Sequence, residues 1–486
     1  MGPCYDHHHL CNSNSSGDRN TTNSLMRGRL LFKQTSQLLF LITLSVYLLS
    51  KPAAAHAGGL PLTNEPAIIP TWLFVLTGGV IIGVSFLFVS LVTQRQLIDR
   101  INGCQLSLPL LQFPQLNLPI IQFLSVFLLI YTLLLGFIGP QNPTSNFAIL
   151  FVWVVWWAGY TMTVYLFGNT WEKLNPWKSI STIIPSLYRP YPSKLGSWPA
   201  SLGLLVFVLI EVGSDITYSP STLSIFLIFY TILTLLGSFI YGSEPWFTNA
   251  DPISKFFRCY GEMSFLTPSA NSLNLHLPGQ KLVKGTDNIG LSARHEVLFI
   301  ITILFITTYD GLISTQFWNE WVLLPLLSLG IPILMIHFIS LVVGHGIFYA
   351  IYHYAILMTH RISGTYISIH SLNIKFAVSL LPIAAGYHIA HFTGYILTFS
   401  TAFVSTIFYP LQPPSFHPSP LPLWLPIVAL IFILLGHICS VWISHCISFK
   451  LFSGRLQPLR SQYPIIFIMI LYTMFSLWIV TSPLAT

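Results

Sequence analysis

Charge is what this chain has least of. Only 7% of its 486 residues are Asp, Glu, Lys or Arg, and 53% are hydrophobic, where an ordinary soluble domain is roughly 25% charged. That shortage excludes a water-soluble fold of this length. Acidic residues are scarcer than basic ones, 14 against 21, which leaves a formal charge of +7. The basic residues are spread thinly between long apolar runs and line no single face, so no nucleic-acid partner is expected. Cysteine is also sparse, at six. Cys104, Cys259, Cys439 and Cys446 lie beyond the N-terminal segment, two in polar connections and two inside an apolar run, a placement that carries no disulfide framework. A Gly-x-x-x-x-Gly-Lys-Ser/Thr loop is absent, as is an internal repeat of the transporter kind, so ATP-driven chemistry has no support.

What the chain does have is a series of apolar stretches about 20 residues long, each enough to cross a bilayer as a helix. They predict an all-α, polytopic integral membrane bundle of about ten helices, near residues 71–93, 118–139, 145–168, 197–217, 220–242, 295–316, 321–345, 374–402, 422–447 and 463–482. Lysine and arginine collect after alternate spans: Arg95 and Arg100, then Lys173, Lys178, Arg189 and Lys194, then Lys255, Arg258, Lys281, Lys284 and Arg294, then Arg361 and Lys375, then Lys450, Arg455 and Arg460. The intervening connections, such as 139–145 and 409–420, contain neither. Basic loops stay in the cytoplasm, which predicts a multi-pass cell-membrane protein with both mature termini outside. Of the two long basic connections, 169–197 and 243–294, the first spaces Trp171, Leu174 and Trp177 for one face of an interfacial helix anchored at the headgroup layer.

The N-terminus reads as a processed leader. Met26-Arg-Gly-Arg-Leu-Leu-Phe-Lys, an apolar run 38–49 and Ala53-Ala54-Ala55 give the basic, hydrophobic and small-residue regions of a signal peptide over 26–55. Residues 1–25 have no signal character and read as a disordered extension or an over-long start. Residues 56–486 then form one transmembrane domain. Cleavage after Ala55 leaves His56 as the mature end, where an α-amine and an imidazole suit copper; cleavage after Ala57 is also allowed.

Ionisable side chains within apolar spans ask for a partner or a function, since each costs roughly 2.5 to 3.5 kcal/mol on insertion scales. Counting about 1.5 Å per residue from the assigned side places Glu211, Asp310, His388 and His391 at one depth, roughly 7 to 12 Å below the outer edge of the core. His388 and His391 are one turn apart. Two imidazoles and two carboxylates suit zinc, iron or manganese, and with His56 above them copper. For the deeper histidines, His337, His345, His353, His437 and His445, interhelical hydrogen bonding is the expected role.

Short patterns run in order down the chain: Ala55-His56-Ala57-Gly58-Gly59-Leu60-Pro61, Pro70-Thr71-Trp72, Phe167-Gly168-Asn169 with Leu174-Asn175-Pro176-Trp177, Trp198-Pro199-Ala200 before Glu211, Asp310-Gly311, Pro382-Ile383-Ala384 through His391, Gly436-His437 and Arg460-Ser461-Gln462-Tyr463. Together they resemble prokaryotic polytopic membrane proteins labelled fenitrothion hydrolase-like, over nearly all of the mature chain. That resemblance implies hydrolysis of an apolar phosphotriester-like substrate arriving from the lipid. Glu211 and Asp310 would be its catalytic carboxylates, and a divalent metal held with His388 and His391 would activate water. The competing expectations are a metal or small-molecule transporter using the same groups, and a copper-binding accessory protein built on His56.

Overall fold

The computed structural model describes residues 70–109, 117–268, 272–284, 294–418, 421–422 and 424–483. The expected leader, the 1–25 extension and His56 lie outside these. What is described is an α-helical bundle, as the run lengths require, and the chain is a multi-pass membrane protein. Among the described residues nine helices are long and apolar enough to cross a bilayer. They are α1 (Thr71–Ser90), α3 (Leu118–Ile138), α4 (Phe147–Phe167), α8 (Pro220–Tyr241), α11 (Arg294–Ile313), α12 (Ile333–Ser363), α13 (Ile369–Phe408), α14 (Leu425–Leu451) and α15 (Leu456–Thr481). The expected span at 197–217 is a shorter apolar helix, α7 (Trp198–Gly213). Between these run short helices: α2 (Arg95–Gly103), α5 (Trp171–Leu174), α6 (Pro176–Ser181), α9 (Pro252–Gly261) and α10 (Gln280–Lys284).

The polar ends sort themselves through contacts between connections far apart in sequence. Arg95 donates to the Phe452 carbonyl at 2.6 Å and Gln457 to that of Ser363 at 2.8 Å. Gln280 donates to the Asn102 carbonyl, and Lys450 to that of Val283. These tie the Lys- and Arg-bearing connections into one basic end. At the other end Thr71 donates to the Thr481 carbonyl at 3.4 Å, and the Gln316 amide to that of Pro483 at 2.8 Å. The basic end also carries a small antiparallel sheet that hydropathy does not show. Its strands are β1 (Gln105–Pro109), β2 (Leu266–Pro268) and β3 (Ser272–His276), in the order β1-β3-β2, with Leu106 opposite Leu275.

Burial ranks the helices. In α11, 89% of the most apolar window is buried, and in α13 78%, while α1, α3 and α12 are at 22%. The first two form the centre, and the other three present Leu, Ile, Val and Phe to lipid. Glycine permits the closest crossing: Gly386 of α13 and Gly436 of α14 lie backbone to backbone, where a Cβ on either would meet the other helix's main chain. Small residues at a crossing are how membrane helices gain contact area without a hydrophobic drive.

Two sequence readings are corrected. The seventh span was expected at 321–345 and runs Ile333–Ser363. The stretch before it is uniformly apolar, so hydropathy alone does not fix the start. Gly330, at φ +80°, and Pro332, which caps α12, break the chain instead. Trp171 and Trp177 were expected at the headgroup layer and are 6% and 5% exposed. The aromatic face of α5 and α6 turns inward, with Trp177 edge-on to Tyr230 of α8 and Trp171 against Phe257 of α9.

Candidate functional site: a carboxylate and imidazole beside an aromatic chamber

The site is set by α11, which packs against α7, α12 and α13 at the middle of the bundle. Asp310 lies 16 residues beyond the first residue of α11, about 24 Å along its axis, so the helix carries a carboxylate from the basic end deep into the molecule. There the Nε2 of His391 on α13 lies 3.3 Å from the Asp310 Oδ2. The two side chains are 14% and 17% exposed. The contact has the distance of an ion pair but not the alignment of a hydrogen bond, and the His391 Nε2 has no hydrogen-bond partner among the described residues.

Two tyrosines complete the setting. Tyr387, one turn before His391, stacks on its ring at 5.9 Å between centroids and 15° between planes. Gly311 makes this possible, since a Cβ there would overlap the Tyr387 hydroxyl. Tyr395 is buried within electrostatic reach of Asp310, Glu211 and Tyr218. Asp310 on α11 and His391 on α13 therefore meet directly, and Glu211 on α7 lies within electrostatic reach of the same tyrosine as Asp310.

His388 goes elsewhere. Its ring is 1% exposed and packs edge-on to Tyr165 at 5.8 Å and against Phe392 at 4.6 Å. Neither ring nitrogen makes a well-formed hydrogen bond; the Trp157 carbonyl is the backbone group beside it. Residues three apart on a helix share a face only approximately, and here the offset of about 60° sends one imidazole to α11 and the other to α4. A divalent metal would find two donors in Asp310 and His391. Among the described residues no group of three His, Cys, Asp or Glu side chains is arranged to hold an ion, and His56 lies outside them.

Glu211 also borders an open-sided cavity of about 650 Å³ lined by α3, α4, α5, α6, α7 and α8. The wall is almost wholly aliphatic and aromatic: Trp153, Trp156 and Trp157 from α4, Trp171 from α5, Trp177 from α6 and Tyr230 from α8. The tryptophans of α4 come from Leu150–Tyr160, where the helix widens to π-type bonding, a distortion frequent at functional sites. The chamber runs from Glu211 and Ile216 to Lys173 and Pro176 at the basic end. Tyr230 donates a hydrogen bond to Asp251, which caps α9 by accepting from the Ser254 amide. Burial pushes the Asp251 carboxyl above the usual carboxylate range.

One polar pair escaped the sequence reading, and one expected interhelical histidine bond falls at an unexpected level. His337 bonds the Tyr309 hydroxyl at 2.8 Å and stacks on Trp318. The late start of α12 puts His337 in its first two turns, at the level of Asp310 instead of deeper. Lys255 of α9 meets Glu296 of α11 at 2.6 Å, both at most 4% exposed, with Ser197 and His295 on the other carboxylate oxygen. The amphipathic pattern of α9, which buries Lys255 among Phe256 and Phe257, was the available signal. Of the other deep histidines three bond across helices as expected, His345 with Thr302 at 3.1 Å, His353 with Asn373 at 3.3 Å and His445 with Gln462 at 3.2 Å, whereas His437 does not: its Nδ1 meets the Ile433 carbonyl one turn back on its own helix at 2.8 Å.

No family model, no curated protein and no solved structure matches this chain.

Proposed function

We propose that the protein is a membrane-embedded hydrolase of apolar, phosphotriester-like substrates, oriented with its basic end in the cytoplasm and both mature termini outside. The observation that carries the reading is the Asp310 and His391 pair at 3.3 Å, half-buried in the bundle, together with the chamber that Glu211 borders. A carboxylate against an imidazole is the arrangement that orients a general base and stabilises the imidazolium it forms. In the reaction, water attacks phosphorus, the bond from phosphorus to the leaving oxygen breaks, and one water proton passes to His391 and on to the departing alkoxide or phenoxide. The products are a phosphodiester and an alcohol or phenol. Glu211 supplies a second carboxylate for holding water. Apolar substrate reaches the chamber from lipid, which accords with walls of Trp, Leu and Ile. The test is phenol release from triphenyl phosphate by the purified full chain in nanodiscs, with empty nanodiscs as the blank. One observation favours a second reading, small-molecule transport: the chamber is elongated, joining the level of Glu211 to Lys173. Uptake of the same compound into proteoliposomes without phenol release would select transport.

A further inference from the structure

The chamber is open on one side, and the place where it opens decides what can enter. On α3 its wall is one helical stripe, from Ile121 through Leu124, Ser125, Leu128 and Leu129 to Thr132. Eleven residues at about 1.5 Å each make this stripe about 16 Å long, close to half of a roughly 30 Å hydrocarbon core and so the depth of one leaflet. The far part of the stripe is sealed, with Leu129 and Thr132 buried. The near part is not: Leu124, in the first two turns of α3, is 50% exposed, and Leu174 of α5, also on the wall, is 36% exposed. The mouth therefore lies at the basic end, and Phe123 and Phe127, exposed beside it, face lipid. Lys173 stands at this mouth, exposed and on the wall. Among the described residues it pairs with no carboxylate, because Glu172 and Glu244 both meet Lys178, at 3.4 and 3.1 Å. The opposite charge is deep. Glu211 lies 13 residues beyond the first residue of α7, about 20 Å along its axis, and within electrostatic reach of Tyr395, which is not on the wall. A cation at the mouth attracts an anion and a carboxylate at the far end repels one, so both charges hold an anionic group at the basic end.

We propose that the chamber takes one acyl chain of an anionic phospholipid from the leaflet at the basic end, with the lipid phosphate meeting the Lys173 ammonium at the mouth. The chain runs along the stripe of α3 towards the bilayer midplane, against walls of Trp, Leu and Phe, and the second chain stays among the lipids outside. The Lys173 contact selects the headgroup: a lysine near a membrane surface favours anionic lipid by about 1 kcal/mol, which is about fivefold in affinity. A zwitterionic headgroup brings its own cation to the same place and loses most of that gain. This inference goes beyond the hydrolase reading and does not depend on it. The two share one chamber, so lipid chain and phosphotriester compete for the same walls.

Tryptophan fluorescence tests this, because Trp153, Trp156, Trp171 and Trp177 line the chamber and bromine on a lipid chain quenches an indole only at contact. The full chain is placed in phosphatidylcholine nanodiscs that carry a small fraction of either phosphatidylglycerol or phosphatidylcholine with brominated chains. Phosphatidylglycerol is expected to quench at about fivefold lower mole fraction. Lys173→Gln is expected to abolish that advantage, whereas Lys194→Gln, which removes an exposed charge from the same end but off the wall, is expected to leave it. Ser125→Phe, which places a ring at the mouth, is expected to reduce quenching by both lipids to that of lipid-facing residues such as Trp72. Equal quenching by the two lipids in the unaltered chain would overturn the proposal, as would an advantage that survives Lys173→Gln. Stronger quenching by a cationic lipid with the same chains would overturn it too, by giving Glu211 control of the site. Phenol release and binding of radiolabelled triphenyl phosphate are read separately. Their absence would remove the hydrolase and keep the lipid site, and turnover without an anionic-lipid preference would do the reverse.

Discussion

The hydroxyl of Tyr387 sits where a side chain on Gly311 would be, and that contact places the Tyr387 ring over His391 and beside Asp310. A glycine after Asp310 is thus a spatial requirement of the site and not a helix defect. Gly311→Ala is expected to displace Tyr387 and with it His391, lowering hydrolysis about a hundredfold, the scale of a misplacement near 1 Å, while the protein still inserts and purifies as a folded bundle. Tyr387→Phe in the same chain is expected to restore part of the rate by removing the overlapping oxygen. A Gly311→Ala rate equal to that of the unaltered protein would mean that the stack has no part in positioning the base.

The buried Lys255 and Glu296 pair pins α9, and with it one side of the aromatic cluster, to the first turn of α11. Lys255→Met leaves Glu296 charged and without its cation, a change expected to cost about 3 to 5 kcal/mol. Removing both charges in Lys255→Met/Glu296→Gln is expected to recover most of that. Apparent melting temperatures of the detergent-purified variants decide it; a double variant no more stable than the single one would contradict the pairing.

The cysteines report orientation and burial together. Cys104 is exposed at the basic end, whereas Cys259 is buried in α9 with its thiol pushed up to about 12 by desolvation. A thiol whose folded value is raised stays protonated, and so unreactive, throughout the neutral range; its reactivity rises only as pH approaches that value. A membrane-impermeant maleimide is expected to label intact cells little and inverted vesicles strongly, with the signal lost in Cys104→Ser. Strong labelling of Cys104 from outside the cell would reverse the topology.

The architecture was legible because bilayer thickness and charge bias act on composition, which a sequence displays. Starts of helices and the alternation of basic connections follow from Pro and Gly positions and from Lys and Arg. Lateral neighbours do not. Equal depth grouped Glu211, Asp310, His388 and His391; Asp310 and His391 do meet, but the rotation of α13 carries His388 away to Tyr165. No residue pattern announces that rotation, because it is fixed by the Gly386 and Gly436 crossing between helices 50 residues apart in the chain. The chamber was hidden for a related reason: Trp171 and Trp177 read as a headgroup anchor until α5 and α6 fold inward.

Two donors hold a divalent ion weakly, so hydrolysis is expected to survive incubation with EDTA, and the purified protein to carry metal well below one equivalent. Loss of activity in EDTA with recovery on adding zinc, iron or manganese would require a third ligand, and copper retained after purification would point to His56. Elemental analysis before and after chelation distinguishes these results.

Rate measurements on the Asp310 and His391 pair test the central claim most directly. Phenol release from triphenyl phosphate is followed for the unaltered chain, Asp310→Asn and His391→Ala, each in nanodiscs and each checked for retained binding of the labelled compound. Release well above empty nanodiscs by the unaltered chain, falling about 10²- to 10⁴-fold in both variants while binding changes little, is the expected result. Absence of release by the unaltered chain, or variants that bind and turn over as it does, would contradict a hydrolytic role for the pair.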